Sequence, residues 1–230
     1  MSVAQSIRKL FVGSAAESFA LEEYWERRHR THRGSLKSVG HAALSDEQNS
    51  AQYHVKRDRI VAMINRFVAN PQGKTLLDAG CGIGLLTPTY LQLGFDVTGV
   101  DFSATAIEQA KAAAPGAGFH VSALDTLNLL HRFDVIVVVD VLLHVVDDAR
   151  WRVSLARLVE HLGRGGVLIV LDWLADPPPD VTPHCRPRPR DQYERVLGDL
   201  GVGIVAHEQF ELSVERATKD LLAVQRVAKP

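Results

Sequence analysis

Between residues 75 and 171 the apolar residues gather into short, β-branched, unbroken runs: Thr75 to Ala79, Phe95 to Val100, Phe119 to Ser122, Phe133 to Val139 and Val167 to Leu171. A strand with one wet face alternates apolar and polar positions, so unbroken runs predict strands buried on both faces of a parallel sheet. Helical stretches separate them. Ser103 precedes Ala104 to Ala113, which stops at Pro115-Gly116, and Asp147 or Asp148 precedes Ala149 to Leu162, which stops at Gly163. These are side-chain oxygens that satisfy free helix amides at the start, and helix-ending residues at the stop. Strand and helix in alternation predict an α/β, doubly wound layer. The tail breaks the alternation, because Val202 to Glu208 and Asp220 to Val227 read as two strands with no helix between them. The expectation is a mostly parallel seven-stranded sheet with a C-terminal antiparallel hairpin at one edge.

Before residue 70 the pattern is that of two long polar-amphipathic helices, Glu17 to Thr31 and Glu47 to Val68, joined through Gly34, Ser35, Gly40 and Ser45. Residues 1–70 are therefore expected to form a helical extension or lid, and residues 71–230 the ligand-binding domain. Within the latter, 174–191 reads as a loop rich in proline and arginine, placed after a strand where such sheets carry function.

Length and charge narrow the choice. A chain of 230 residues suits one α/β domain, and 46% hydrophobic with 23% charged residues at a formal net charge of −1 is an ordinary globular profile. It gives no support for nucleic acid as a partner. No apolar run reaches membrane-spanning length, and Leu10-Phe11-Val12 stops at Gly13, too short for a signal-peptide core. Two cysteines, one of them inside a glycine-rich loop, point to a reducing cytoplasm. The basic cluster Arg27 to Arg33 lacks interleaved aromatics, and its His29 and His32 lack a third ligand, so it reads as a solvated face or substrate gate; no metal is expected. Oligomeric state is not legible.

The loop Gly80-Cys81-Gly82-Ile83-Gly84 follows the first strand. A dinucleotide fingerprint wants its third glycine where Leu85 stands, and Asp78 at the strand end would repel incoming phosphates at short range. What fits is a neutral or cationic nucleoside: glycines permit close backbone approach, and a carboxylate attracts an ammonium group. Asp101 ends the next strand about twenty residues on, where a carboxylate can take ribose hydroxyls, and Phe102 can pack on the base.

These residues carry a resemblance. The runs LLDAGCGIG (76–84), VTGVDFSATAIEQAKA (97–112), FDVIVVVDVLLHVVDD (133–148) and LGRGGVLIVLDW (162–173) resemble, in order, the motifs of class I S-adenosylmethionine-dependent methyltransferases. The resemblance implies a Rossmann-like domain and S-adenosyl-L-methionine as cofactor. It implies that Asp78, Gly80 and Gly82, with Cys81 between them, contact the methionine portion, that Asp101 holds the ribose, and that Phe102 walls the adenine. Ser122-Ala123-Leu124 stand where the family often has an acid, so adenine recognition falls to backbone groups at Ala123 and Leu124. Tyr53 and Arg57 lie at helical spacing with Asn49. They form either an exposed face or a closure over the cofactor in which Arg57 pairs its carboxylate.

The sulfonium methyl is already activated, so placement dominates, with a base needed for a hydroxyl or protonated-amine acceptor. His144, four residues past the fourth strand's terminal Asp140, is the candidate base or acceptor-orienting group, against a packing or capping role. Asp140 is a candidate for catalysis, for cofactor contact, or for structure alone. Trp173 offers an aromatic face to the substrate or fills the core. In the arginine loop, Arg188 and then Tyr193 are candidates for clamping a carboxylate-bearing substrate, against a solvated basic loop. The expected function is methyl transfer to an O, N or C nucleophile of a small molecule. Alternatives are a cyclase or lyase releasing methylthioadenosine, and a non-catalytic adenosyl-binding protein.

Overall fold

The structure, a computed structural model, describes residues 15–176, 182–214 and 217–227. Helices α1 (Ala15–Thr31) and α2 (Asp46–Phe67) come first. There follow β1 (Thr75–Ala79), α3 (Thr87–Leu93), β2 (Asp96–Asp101), α4 (Ala104–Ala113), β3 (Gly118–Val121), β4 (Phe133–Val139), α5 (Asp148–His161), β5 (Leu162–Asp172), α6 (Arg190–Asp199), β6 (Val202–Leu212) and β7 (Ala217–Arg226). The seven strands form one sheet in the order β3-β2-β1-β4-β5-β7-β6. The first five run parallel, while β7 is antiparallel to both β5 and β6.

The unbroken apolar runs have their cause in two cores. Along β1 and β4, Leu77, Ile136 and Val138 turn to a face covered by Trp151, Leu155 and Leu158 of α5 and by Tyr193 and Leu197 of α6. Their neighbours Leu76, Val135 and Val137 turn to the opposite face, under Ile60, Met63 and Ile64 of α2 and Tyr90 of α3. Side chains alternate across a strand, so burying both faces requires every position to be apolar.

The capping expectations correspond to observed bonds. Ser103 accepts from the Ala106 amide at 3.0 Å, and Asp147 from Arg150 at 2.8 Å. Ser45 and Gln48 form a reciprocal capping box at the start of α2. Three boundaries differ from expectation. Helix α5 ends at His161, and β5 begins directly at Leu162, five residues before the expected strand. The hairpin strands are longer than the apolar pattern, because β6 runs past Glu208 to Leu212 and β7 starts at Ala217, where only alternate positions are buried. Helix α3 has only seven residues and no side-chain cap; its local marks are Pro88 in the first turn and Gly94, at φ 101°, at the C-cap.

Strand order reverses between β1 and β4. Loops leaving the carboxyl ends of these two strands diverge, and a crevice opens between them. Helix α1 lies over that crevice, with contacts to α4.

Candidate active site

Immediately after β1 the chain turns through Gly80 and Gly82 at φ 76° and 53°, a region that side chains rarely adopt. A Cβ on Gly80 would lie 2.4 Å from Val141 Cγ2, and one on Gly82 2.8 Å from Val39 Cγ1. The loop is therefore bare backbone between two walls. Two carboxylates flank it. Asp78 accepts from Thr87 Oγ1 at 2.7 Å, and Asp101 accepts from the amides of Gly82 at 3.0 Å and Ser103 at 2.9 Å. Burial pushes Asp78 up to about 7, against the Thr87 bond and helped by the Asp101 charge. Burial likewise lifts Asp101 to about 6, against its two backbone bonds. Buried acids beside a glycine loop repel phosphates but suit an ammonium and ribose hydroxyls, so these residues fit an adenosylmethionine rather than a dinucleotide.

Asp140 ends β4 with φ 52°, the single non-glycine residue at positive φ among the described residues. Its carboxylate takes Lys56 Nζ at 2.7 Å and Lys219 Nζ at 2.5 Å. Burial would raise its pKa, but the two ammonium groups outweigh burial and hold it well below the usual carboxylate range. Ionic pairing on both oxygens offsets the backbone strain.

His144 closes a short 3-10 turn, Leu142–His144. Its Nδ1 lies 2.7 Å from the His184 carbonyl, which can only accept, so Nδ1 carries the hydrogen and Nε2 keeps a lone pair. Burial pushes its pKa down to about 4, despite that bond and the Asp140 charge. It is a neutral imidazole at physiological pH.

Helix α1 forms the roof. Glu26 accepts from Ser103 Oγ at 2.5 Å and from Thr105 Oγ1, and Glu22 pairs with Arg150 at 2.8 Å, which also holds Asp125 at 2.6 Å. Arg28 donates to the carbonyls of Lys37 and Gly40 and lies over the Trp25 ring. Trp25 sits edge-on to His144, ring centroids 4.6 Å apart.

Eleven of the residues singled out in the sequence line this two-lobed cleft. Tyr53, Asp78, Gly80, Cys81, Gly82, Asp101, Phe102, Asp140 and His144 surround one lobe, and the second adds Ala123 and Leu124 beside Phe102. Tyr53 donates its hydroxyl hydrogen to the Val39 carbonyl at 3.1 Å.

Four expected residues are placed elsewhere. Arg57 does not line the cleft; it pairs with Asp58 on the outer side of α2. At about 100° per residue, Asn49, Tyr53, Lys56 and Ile60 share a face and Arg57 falls off it, so Lys56 is the cation that faces inward. Arg188 is not a free clamp either. It is 2% exposed, donates to the carbonyls of Val145 at 2.8 Å and Arg186 at 3.2 Å, pairs with Asp148 at 3.0 Å and stacks on Trp151. Tyr193 is buried behind it, donating to Asp172 at 3.0 Å and packing edge-on to Trp151. Trp173 is half-buried at the end of β5 and does not line the cleft. The arginine loop thus props the His144 turn from behind, with Arg186 paired to Asp148 and its amide on the Leu143 carbonyl. Its Pro177-Pro178-Pro179 run lies outside the described residues.

Sequence reasoning missed Trp25, Lys56, Lys219 and Arg150. A tryptophan amid the charged second half of α1 was the signal for Trp25. Lys219 had none, since its partner is 79 residues away.

The sequence matches the family described as "Methyltransferase domain" over residues 52–212. The ubiquinone biosynthesis O-methyltransferase of Bradyrhizobium sp. (strain ORS 278) is 33% identical over 102 residues, covering 43% of this chain and 39% of that protein. The 2-methyl-6-phytyl-1,4-hydroquinone methyltransferase of Synechocystis sp. is 35% identical over 111 residues, covering 45% of this chain and 33% of that protein. The chain thus spans well under half the length of these curated relatives. In fold it is similar to the magnesium protoporphyrin IX methyltransferase of Synechocystis PCC 6803, solved with S-adenosylmethionine bound. The TM-score is 0.74 at 19% identity, over 94% of this chain and 100% of that one. The 1,6-didemethyltoxoflavin-N1-methyltransferase of Burkholderia thailandensis gives a TM-score of 0.70 at 16% identity, over 94% and 92%.

Proposed function

The chain belongs to the class I S-adenosylmethionine-dependent methyltransferases, and from that membership we propose that it moves a methyl group from S-adenosyl-L-methionine to a small-molecule acceptor. The supporting observation is one cleft that joins the glycine loop, Asp101 and Phe102 to a neutral His144 with a free Nε2. The glycine loop, Asp78, Asp101 and Phe102 would hold the cofactor, which would supply an activated methyl group to the acceptor.

The protein's own tasks are placement and proton handling. Asp78 meets the ammonium group, Asp101 the ribose hydroxyls, and the backbone at Ala123 and Leu124 the adenine edge, with Phe102 against its face. The Lys56–Asp140–Lys219 group fixes the end of β4 and with it the turn that carries His144. His144 Nε2 takes the acceptor's proton; its backbone-bound Nδ1–H sets the tautomer. Helix α1 excludes water from above, which strengthens the electrostatic contacts beneath it.

Calorimetric titration with S-adenosylhomocysteine, followed by labelled methyl transfer into a mixture of small molecules, tests this reading. Asp101→Asn weakens binding, and His144→Gln removes transfer while sparing binding. Methylthioadenosine formed without any acceptor would establish a cyclase or lyase instead. Tight binding without turnover on any acceptor would make the protein an adenosyl-binding module.

A further inference from the structure

Asp140 is an acid with two cations where one would balance it. Lys56 from α2 and Lys219 from β7 each place an ammonium group on one of its oxygens, at 2.7 and 2.5 Å. The side chains of Lys56 and Lys219 are only 8% and 11% exposed. Burying two charges against a single counter-charge is unfavourable, so the second lysine calls for a reason beyond neutralising the acid. Strand β5 lies between β4 and β7, so Lys219 reaches across the end of a neighbouring strand to meet Asp140.

The two cations have different neighbours. Lys56 Nζ lies 4.8 Å from the ring centroid of Tyr53, which lines the lobe holding the glycine loop. The charge of Lys219 instead acts on His144, Cys185 and Asp172. His144 is joined to Asp140 by a single short turn, in which its amide bonds the Val141 carbonyl at 2.9 Å. The corner before that turn is Asp140 itself, at positive φ, with its amide on the Leu171 carbonyl at 2.8 Å. Asp140 draws a proton toward the imidazole and Lys219 opposes it. An imidazole already carrying both protons could not take one from an acceptor. Other groups facing this ring are His184 and Cys185 from the 182–190 loop, the latter with Sγ 3.5 Å from Nδ1. From α1 come Trp25, with Arg28 over its indole, and His29; Asp78 and Asp101 line the same lobe. Asp172 is pushed up to about 7 by burial and accepts from the Tyr193 hydroxyl.

We infer that Lys219 is a positioning residue for methyl transfer: paired to Asp140, it holds the left-handed corner from which the His144 turn starts and cancels the carboxylate's charge beside that imidazole. Lys56 serves the cofactor side of the same acid. The inference rests on the methyl-transfer reading above and deepens it, because it makes the C-terminal hairpin part of the machinery that keeps His144 able to accept a proton.

The test follows the histidine Cε1–H signals of the whole protein against pH, the His144 signal among ten histidines being identified by its loss in His144→Gln. In Lys219→Met the unopposed carboxylate should raise the His144 midpoint from about 4 by about one unit or more, while calorimetry shows S-adenosylhomocysteine affinity retained. Lys56→Met should do the reverse, weakening S-adenosylhomocysteine binding and moving the midpoint less. Labelled methyl transfer into the small-molecule mixture should fall on the acid side in Lys219→Met and recover as pH is raised, which a merely loosened fold would not produce. An unmoved His144 midpoint in Lys219→Met overturns the inference, as does a loss of S-adenosylhomocysteine affinity equal to that in Lys56→Met. Should Lys219→Met not fold, Lys219→Gln, whose amide can still donate to Asp140, reads the charge alone, and an unmoved midpoint there overturns the inference equally. The histidine titration stands whether or not an acceptor is found; absence of S-adenosylhomocysteine binding to the unaltered protein overturns the methyl-transfer reading itself.

Discussion

Replacing Arg188 with methionine separates a structural arginine from a substrate clamp. The guanidinium donates to the carbonyls of Val145 and Arg186, pairs with Asp148 and stacks on Trp151, all with the side chain 2% exposed. Methionine keeps most of the packing volume but takes the donor from four carbonyls: Leu142 keeps the Val145 amide, Val145 and Arg186 lose bonds of 2.8 and 3.2 Å, and Val146 loses a long one of 3.4 Å, so the cost is carried chiefly by two groups at about 1–3 kcal/mol each. The Asp148 pair adds little, because that carboxylate's side chain is 43% exposed and solvent screens it. Removing a buried guanidinium also returns some desolvation cost. The net expectation is a loss of about 3 kcal/mol, or a fall in Tm of about 6–12 °C for a chain of this size. Urea titration and thermal unfolding both read it. Because the lost contacts hold residues 142–146, activity should fall through kcat as the His144 turn loosens. Stability changed by less than about 0.5 kcal/mol, together with a raised KM for an anionic acceptor, would refute the structural assignment and restore the clamp.

Other outcomes follow from the same geometry. Asp78 and Asp101 are held near 7 and 6 by burial, so an arriving ammonium group should drive a proton off and affinity should rise with pH through about 7. Calorimetry in buffers of differing ionisation enthalpy checks this; buffer-independent heats would contradict it. The ligand-free protein should lose the stability contributed by these two acids as pH rises from the ordinary carboxylate value of 3.8 through 6–7. His29 and His144, pushed down to about 4, act in the opposite sense, their contribution being lost as pH falls from 6.5 through 4. A pH series of denaturation midpoints on His144→Gln, flatter at the acid end than the unaltered chain, would show that contribution. Gly80→Ala drives a Cβ into Val141 and should abolish S-adenosylhomocysteine binding, whereas Gly165→Ala, at φ 77° but in open space, should cost about 1 kcal/mol and leave binding intact. Arg57→Ala should leave cofactor affinity unchanged while Lys56→Met weakens it; the reverse order would return Arg57 to the site.

Much of this was legible in the chain because its causes are local. A strand buried on both faces must be apolar at every position, and Ser103 and Asp147 cap the helices that directly follow them. The glycine loop and the two acids are fixed by strand ends, so Asp78, Gly80, Gly82, Asp101 and Phe102 converge as their spacing implied. What was not legible depends on contacts between distant residues. Tyr53 and Arg57 satisfy helical spacing equally well, and only the packing of α2 on the sheet decides that Lys56 rather than Arg57 turns inward. An arginine-rich loop reads the same whether its guanidinium groups face substrate or carbonyl oxygens. Trp25 and His29 belong to a helix with little hydrophobic periodicity, so nothing in its pattern shows that they line the cleft.

The position of β7 bears on how the protein comes into being. This strand enters between β5 and β6, and it carries Lys219, one of the two cations on Asp140. On the ribosome, β6 emerges before the strand that pairs with it, and Asp140 emerges long before its second counter-ion. A nascent chain halted anywhere before residue 217 therefore presents an unpaired β5 edge and an acid held by Lys56 alone. The outer edge of β5 and the second counter-ion of Asp140 thus wait on the same strand.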